Sequence, residues 1–504
     1  MPWAGPATLT EPTSGPHGLP HGRRPRSASI ASTSADPALT TAAPADALAT
    51  AATVDALEGT ALPDTLPGDF AGSGIGSRDP IADGNGYVPV SATLAANEAL
   101  SKRRKRGEPV LPLAFGESGL PVHPRLAAGL AAAAGRGEYG PVAGTDRLRA
   151  AAAGYWSRRS LPTCQDAVVA GPGSKALLFA VLLAIGSDVA VPMPSWVSYA
   201  AQARLIGTAP RFVPAVLGEG GVCDPEALDA VARAAQTAGR PIGAVLVTLP
   251  DNPTGRLASP HAVRELCNVA ERHNMIIISD EIYRDLVHDP AAPFLSPAQV
   301  APHRSVVTTA LSKSLAVGGW RIGVARMPDG PGGTVLRDRM LGIASEVWSA
   351  PAGPVQHAAA VAFDEPSDLA VRVSRSRSLH AIVCREVAGI CATSGLDVAE
   401  PQAAFYVYPD FAPWRDHLAV RFGVGTGAEL SGLLLDRYGA GTVPACAFGE
   451  SESALRLRMA TGLLYGDSDV QRETVLAAAE PLRVPWVRDS LAQLAEILAD
   501  LRAA

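Results

Sequence analysis

Residues 305–323 read SVVTTALSKSLAVGGWRIG. The run SVVTTAL is short, apolar and β-branched, so it reads as a buried strand. Lys313 comes directly after it, with Gly318 and Gly319 behind and Arg321 eight residues on. Charged groups are costly in an apolar interior. An amine at a buried strand end, with a second cation close by, therefore asks for a chemical explanation.

Working outward, similar runs recur on both sides. DVAVPMP (188–194), GAVLVTLP (243–250) and MIIIS (275–279) are further short strands. GSKALLFAVLLAIG (173–186) and ELCNVAERH (265–273) have helical length and composition. Strands alternating with helices predict a parallel α/β sheet. No fixed-period repeat is present. Near residue 365 the character changes again, ending in amphipathic helices such as DSLAQLAEILADLRAA.

In open α/β sheets, ligands bind beyond the carboxyl ends of the strands. The residues just past each apolar run are therefore informative. DNPTG with Asn252 comes after GAVLVTLP. Asp280 and Tyr283 come after MIIIS, and MPSW with Trp196 after DVAVP. A glycine-rich turn, GPGS, precedes the helix starting near Ser174. Each feature alone has an ordinary explanation as a turn, cap or core residue. Together, an amine, a carboxylate, a phenol, an amide, an aromatic ring and an anion nest at strand ends point to one ligand site.

Bulk properties narrow the class. The chain has 504 residues, 47% of them hydrophobic, and a formal charge of −6. This is a large globular chain with no electrostatic reason to favour nucleic acid or an acidic membrane. The six cysteines lack C-x-x-C spacing, which predicts a reducing, cytoplasmic setting. The longest strongly apolar run, residues 176–186, is too short to span a bilayer. No metal site is expected. Residues 1–86 are rich in Ala, Pro, Ser, Thr and Gly and are expected to be largely disordered. The twin arginine in HGRRPRSASIAS has no apolar stretch after it and is not read as a secretory signal. Basic residues Lys102–Arg106 read as a solvated helix end.

The motifs ALSKSLAVGGWRIG, SDEIYRDLV, LPDNPTG, YGPVAGTDRLR, VPMPSWVSY, FGESG and PQAAFYVYP resemble those of fold-type I pyridoxal-phosphate enzymes, class I/II aminotransferases in particular. The likeness runs in the family's order from about residue 88 to about 480. It implies a mostly parallel seven-stranded sheet between helices in a large domain (130–365). A smaller α+β domain (366–504) and an N-terminal arm that joins it (87–129) complete the expected layout.

The resemblance also implies roles. Lys313 would form the Schiff base with pyridoxal 5'-phosphate, the only amine chemistry that can hold an aldehyde this way. Asp280 would keep the pyridine nitrogen protonated. Tyr283 and Asn252 would bond the ring oxygen, and Trp196 would stack on the ring. Gly173, Ser174 and Lys175, at a helix N-terminus, would donate to the phosphate together with Arg321 and Ser312. Tyr139 would reach the phosphate of a neighbouring subunit, implying a homodimer with shared sites. For the substrate carboxylate, Arg456 in LRLRMATG is expected as the ligand, with Gly116 near it and Trp196 and Asn252 alongside. Arg458 is expected on the opposite side of the strand. Substrate selectivity would rest on loops near 85–120 and 345–356.

Two departures stand out. The family often has serine where this chain has Ala310, and glycine where it has Ala403. The expected reaction is transfer of an amino group between an L-amino acid and a 2-oxo acid. An elimination lyase, cyclase or C–C bond-forming enzyme on the same fold, acting for instance on S-adenosylmethionine or arginine, is the alternative. A DNA-binding regulator is disfavoured, because residues 1–86 lack a helix-turn-helix pattern.

Overall fold

A computed structural model describes residues 90–216 and 218–503. The expected disordered extension, residues 1–86, lies outside them. Strand β1 (Leu111–Pro112) comes first and belongs to a small peripheral sheet. The main sheet comprises β2 (Val168–Gly171), β3 (Asp188–Met193), β4 (Pro210–Pro214), β5 (Ile242–Thr248), β6 (Ile276–Asp280), β7 (Ser305–Ala310) and β8 (Gly323–Arg326). Its order is β2-β8-β7-β6-β5-β3-β4. All neighbours are parallel except where β8 runs against β2 and β7. The mostly parallel seven-stranded sheet expected from the sequence is present.

The strands read as continuous apolar runs because both faces are covered. Alternate residues go to opposite faces. Val189, Val191, Ala244, Leu246, Ile278 and Val306 pack with the helix Ser174–Ile185. Ala190, Val245, Val247 and Ile277 pack with the helices Pro225–Thr237 and Pro260–Arg272. Both of these helices begin with a capped proline. Asp224 accepts from the Ala227 amide at 2.9 Å and Ser259 from the Ala262 amide at 3.2 Å. Beyond Lys175 the helix Ser174–Ile185 is entirely apolar, and most of its side chains are buried. Among the described residues, no single helix is long and apolar enough to cross a membrane.

The C-terminal part has its own core. The long helix Ser367–Thr393 packs with Pro485–Arg502 and a three-stranded sheet, in which β12 (Leu457–Ala460) lies between β9 (Tyr406–Val407) and β11 (Val443–Pro444). Strand β1 pairs with β10 (Ala440–Gly441), and Leu111, Leu113 and Leu120 join this core. His380 is buried within it. Burial pushes its imidazole down to about 3, so the ring is neutral. It bonds Tyr465 at 2.6 Å and Ser118 at 3.2 Å, tying the FGESG loop to the long helix.

The carboxyl ends of β3, β5, β6 and β7 share one edge of the sheet, and β8 returns beside them. Gly323, at the start of β8, lets that strand touch the turn before Ser174. A Cβ at Gly323 would lie 2.6 Å from the Ser174 nitrogen and 2.8 Å from the Gly173 carbonyl carbon. Gly323→Ala is therefore expected to destabilise the protein by about 1–3 kcal/mol through overpacking against rigid backbone. The shift of the urea unfolding midpoint measures it, and an unchanged midpoint would contradict this packing.

Candidate active site

A cavity of about 540 Å³ opens at that sheet edge. It brings Lys313, Asp280, Tyr283, Asn252, Trp196, Ser174, Lys175, Ser312, Arg321 and Gly116 to one space. Lys313 sits in a single helical turn, Leu311–Ser314, immediately after β7. Its ammonium donates to the Gly116 carbonyl. Burial lowers its pKa to about 8, opposed by Glu117 and helped by Arg458 and Arg321. The amine is thus partly neutral near physiological pH.

Asp280 ends β6 and is almost fully buried. Burial pushes its carboxyl up to about 6. Bonds from Tyr199 (3.0 Å) and Thr308 (3.3 Å) act in the other direction. The Tyr283 hydroxyl meets that of Tyr406 at 2.6 Å. Trp196 packs edge-on against Tyr199, with ring centroids 5.2 Å apart, and the Lys175 ammonium lies 4.9 Å from the Trp196 ring centre. Burial, then Arg321, lowers the Lys175 pKa.

The GPGS turn forms a nest. Gly173 caps the helix at φ 85°, where its Cβ would lie 2.5 Å from an Arg321 nitrogen. Glycine is needed here on both counts. Arg321 itself is left-handed at φ 52°, and its guanidinium bonds the Gly318 carbonyl at 2.8 Å. Backbone amides at the helix start, two buried hydroxyls and two cations thus share one end of the cavity.

The expectation for the carboxylate ligand is corrected. Arg456 is not in the cavity. It is half exposed and paired with Asp410 at 2.9 Å and Glu450 at 2.6 Å. Of these two arginines, Arg458 is the one in the cavity, 1% exposed. It donates to the Asn252 side-chain oxygen at 3.2 Å and to the Ala114 carbonyl. Its guanidinium lies 5.0 Å from the Tyr406 ring centre and 5.3 Å from that of Phe448. Its Nε is buried without a partner among the described residues. Strand alternation could not have separated the two arginines, because residues two apart share a face. They part because Arg456 precedes the regular strand β12, at an isolated bridge to Asp410.

Tyr139 lies outside this chain's cavity, 92% exposed. Ala310 is buried at the end of β7, and Ala403 is likewise buried. The positive φ belongs to the next residue, Ala404, at 56°. Motif and spacing assign no role to Tyr406, Tyr199, Glu117 or Thr93, which also line the cavity. Tyr406 and Tyr199 stand inside motifs already picked out, PQAAFYVYP and VPMPSWVSY. Their presence is visible in the sequence but their partners are not.

This fold and site define a class. Residues 110–463 match the family described as Aminotransferase class I and II, and the chain belongs to that family. It is an aminotransferase, an enzyme of the transferase class. A probable aspartate/prephenate aminotransferase of Thermus aquaticus is 32% identical over 339 residues, 64% of this chain and 83% of that protein. An aspartate aminotransferase of Geobacillus stearothermophilus is 30% identical over 393 residues, 76% of this chain and 95% of that one. The solved aspartate aminotransferase from Thermus thermophilus with maleate superposes with a TM-score of 0.68 at 25% identity, covering 81% of this chain and 97% of that chain.

The two arginines make a direct test. Losing one partner of a buried charge pair costs about 2–5 kcal/mol, and an exposed pair contributes about 1 kcal/mol or less. Arg458→Ala should raise KM for the amino acid by at least about 30-fold, whereas Arg456→Ala should leave it within about threefold. Steady-state kinetics on both variants checks this, and the reverse ranking would restore Arg456.

Proposed function

We propose that this aminotransferase uses pyridoxal 5'-phosphate to move an amino group between an L-amino acid and a 2-oxo acid. We propose further that it works as a cytosolic homodimer. The observation that carries the reading is Arg458. A guanidinium buried this deeply, with a free Nε and no carboxylate bonded to it among the described residues, suits an incoming anion. It shares its cavity with the amine of Lys313 and the carboxylate of Asp280.

The residues also fit the cofactor. The nest at Gly173–Lys175 with Ser312 and Arg321 suits a phosphate. Arg458 occupies the Asn252 oxygen, so the Asn252 amide hydrogens remain to donate, alongside the Tyr283 hydroxyl, to a ring oxygen. Trp196 offers an aromatic wall. When bound, the cofactor supplies an electron-accepting ring.

The chain's own residues do the rest. Asp280, ionised above about pH 6, holds a proton on the ring nitrogen. Lys313 would provide the amine that holds the aldehyde. That amine, with a pKa near 8, would also accept the proton of the substrate α-carbon and give it back. Arg458 fixes the substrate carboxylate, which orients the α-carbon.

The exposed Tyr139, in a motif whose family counterpart reaches across subunits, supports the dimer. Six free thiols, four of them buried, support a reducing compartment. Relatives named for aspartate and prephenate put aspartate first in any substrate panel. The protein loaded with pyridoxal phosphate should be mixed with single amino acids and no acceptor. Release of about one equivalent of 2-oxo acid per site is expected, with the cofactor recovered in its amino form. Loss of a side-chain substituent, or no 2-oxo acid from any amino acid, would contradict transamination.

A further inference from the structure

Three neighbouring strands place polar side chains level with one another beneath the cavity. Thr248 on β5 is the register partner of Asp280 on β6, and Asp280 is the partner of Thr308 on β7. The Tyr199 hydroxyl, from the helix Ser198–Leu205, closes this row. It lies 3.0 Å from one Asp280 oxygen and 2.9 Å from the Thr248 hydroxyl, and Thr308 lies 3.3 Å from the other Asp280 oxygen. The proton directions are determined. A phenol has one proton, and a carboxylate can only accept. Tyr199 therefore donates to Asp280, and Thr248 donates to Tyr199. The chain Thr248 to Tyr199 to Asp280 is polarised toward the carboxylate.

We propose that Tyr199 is a positioning residue which, with Thr248 behind it and Thr308 on the other oxygen, keeps the Asp280 carboxylate charged and fixed for the ring nitrogen of the cofactor. The proposal rests on the pyridoxal-phosphate reading above. A buried carboxylate without donors would revert to the neutral acid near pH 7, and a neutral acid cannot hold a protonated ring nitrogen. The ring of Tyr199 has a separate task, packing edge-on against Trp196. Tyr199→Phe keeps that packing and deletes the donor.

The titratable groups facing Asp280 are Tyr199, Tyr283 on its own turn, and Lys313 after β7. Asp251 lies beyond Tyr199 and acts on it. Burial raises the Asp280 pKa to about 6 in the folded protein. The ionised form that binds cofactor is present above that value and is lost as pH falls through it. Removing a donor to the carboxylate raises the pKa further, so the acid limb moves upward in pH.

The test is the dissociation constant of pyridoxal phosphate for the cofactor-free protein, tracked by fluorescence quenching from pH 5 to 9 for wild type and variants. The acid limb is expected to lie about one pH unit higher in Tyr199→Phe. Thr308→Val should shift it in the same direction, and Thr308→Ser should restore it. Thr308→Val and Thr308→Ser carry the test if Tyr199→Phe does not fold. A uniform loss of affinity with an unmoved limb, in whichever of the two donor-deleting variants folds, would overturn the proposal and leave Tyr199 as packing only. Wild-type protein that binds no pyridoxal phosphate at any pH would instead overturn the cofactor reading, and the proposal with it.

Discussion

A buried guanidinium with no carboxylate bonded to it among the described residues is the constraint around which the rest of this site is arranged. Arg458 is held by an amide oxygen, a backbone carbonyl and two aromatic faces. These neutral partners offset part of the desolvation cost and leave the positive charge uncompensated. Residues 114–119 must approach closely to supply the Ala114 carbonyl to Arg458 and the Gly116 carbonyl to Lys313. A Cβ at Gly116 would fall 2.4 Å from the Tyr406 hydroxyl, so only glycine fits there. The neutral His380 core then anchors that loop to the long C-terminal helix. Folding energy from two apolar cores thus supports a cluster of positive charge that waits for anions.

Charge at the site is divided by position. The nest with Arg321, and Arg458, are separate cationic groups of the cavity, and both act on Lys313. Asp280 and Lys313 share the cavity with them, and burial moves each toward its neutral form. Two titratable groups pushed in opposite senses from their ordinary values are the requirement for moving protons near neutral pH. The parallel sheet makes the arrangement possible because consecutive strand ends deliver side chains to one edge without long loops.

The sheet and most of the cavity were legible in the sequence. Short β-branched runs marked the strands, and the polar residues at their carboxyl ends included Lys313, Asp280, Asn252 and Trp196. These positions depend on local chain order, which a sequence displays. The Arg456 expectation failed for the opposite reason. Which of two nearby arginines turns inward depends on where strand β12 begins and on Asp410 and Glu450, some 46 and 6 residues away in the chain. Tyr406 and Tyr199 escaped notice likewise, since their meaning lies in contacts with Tyr283 and Asp280, 123 and 81 residues distant. Hydrogen-bond partners from separate strands are invisible to periodicity and motif spacing.

Among the described residues, two lysines line the cavity, Lys313 and Lys175, and the proposed chemistry needs only the first as the tether. Borohydride reduction of the pyridoxal-phosphate-loaded protein, then proteolysis and peptide mass mapping, separates them. A pyridoxyl adduct on the peptide that contains Lys313 is the predicted result. An adduct on Lys175 or elsewhere, or none in loaded protein, would contradict the account.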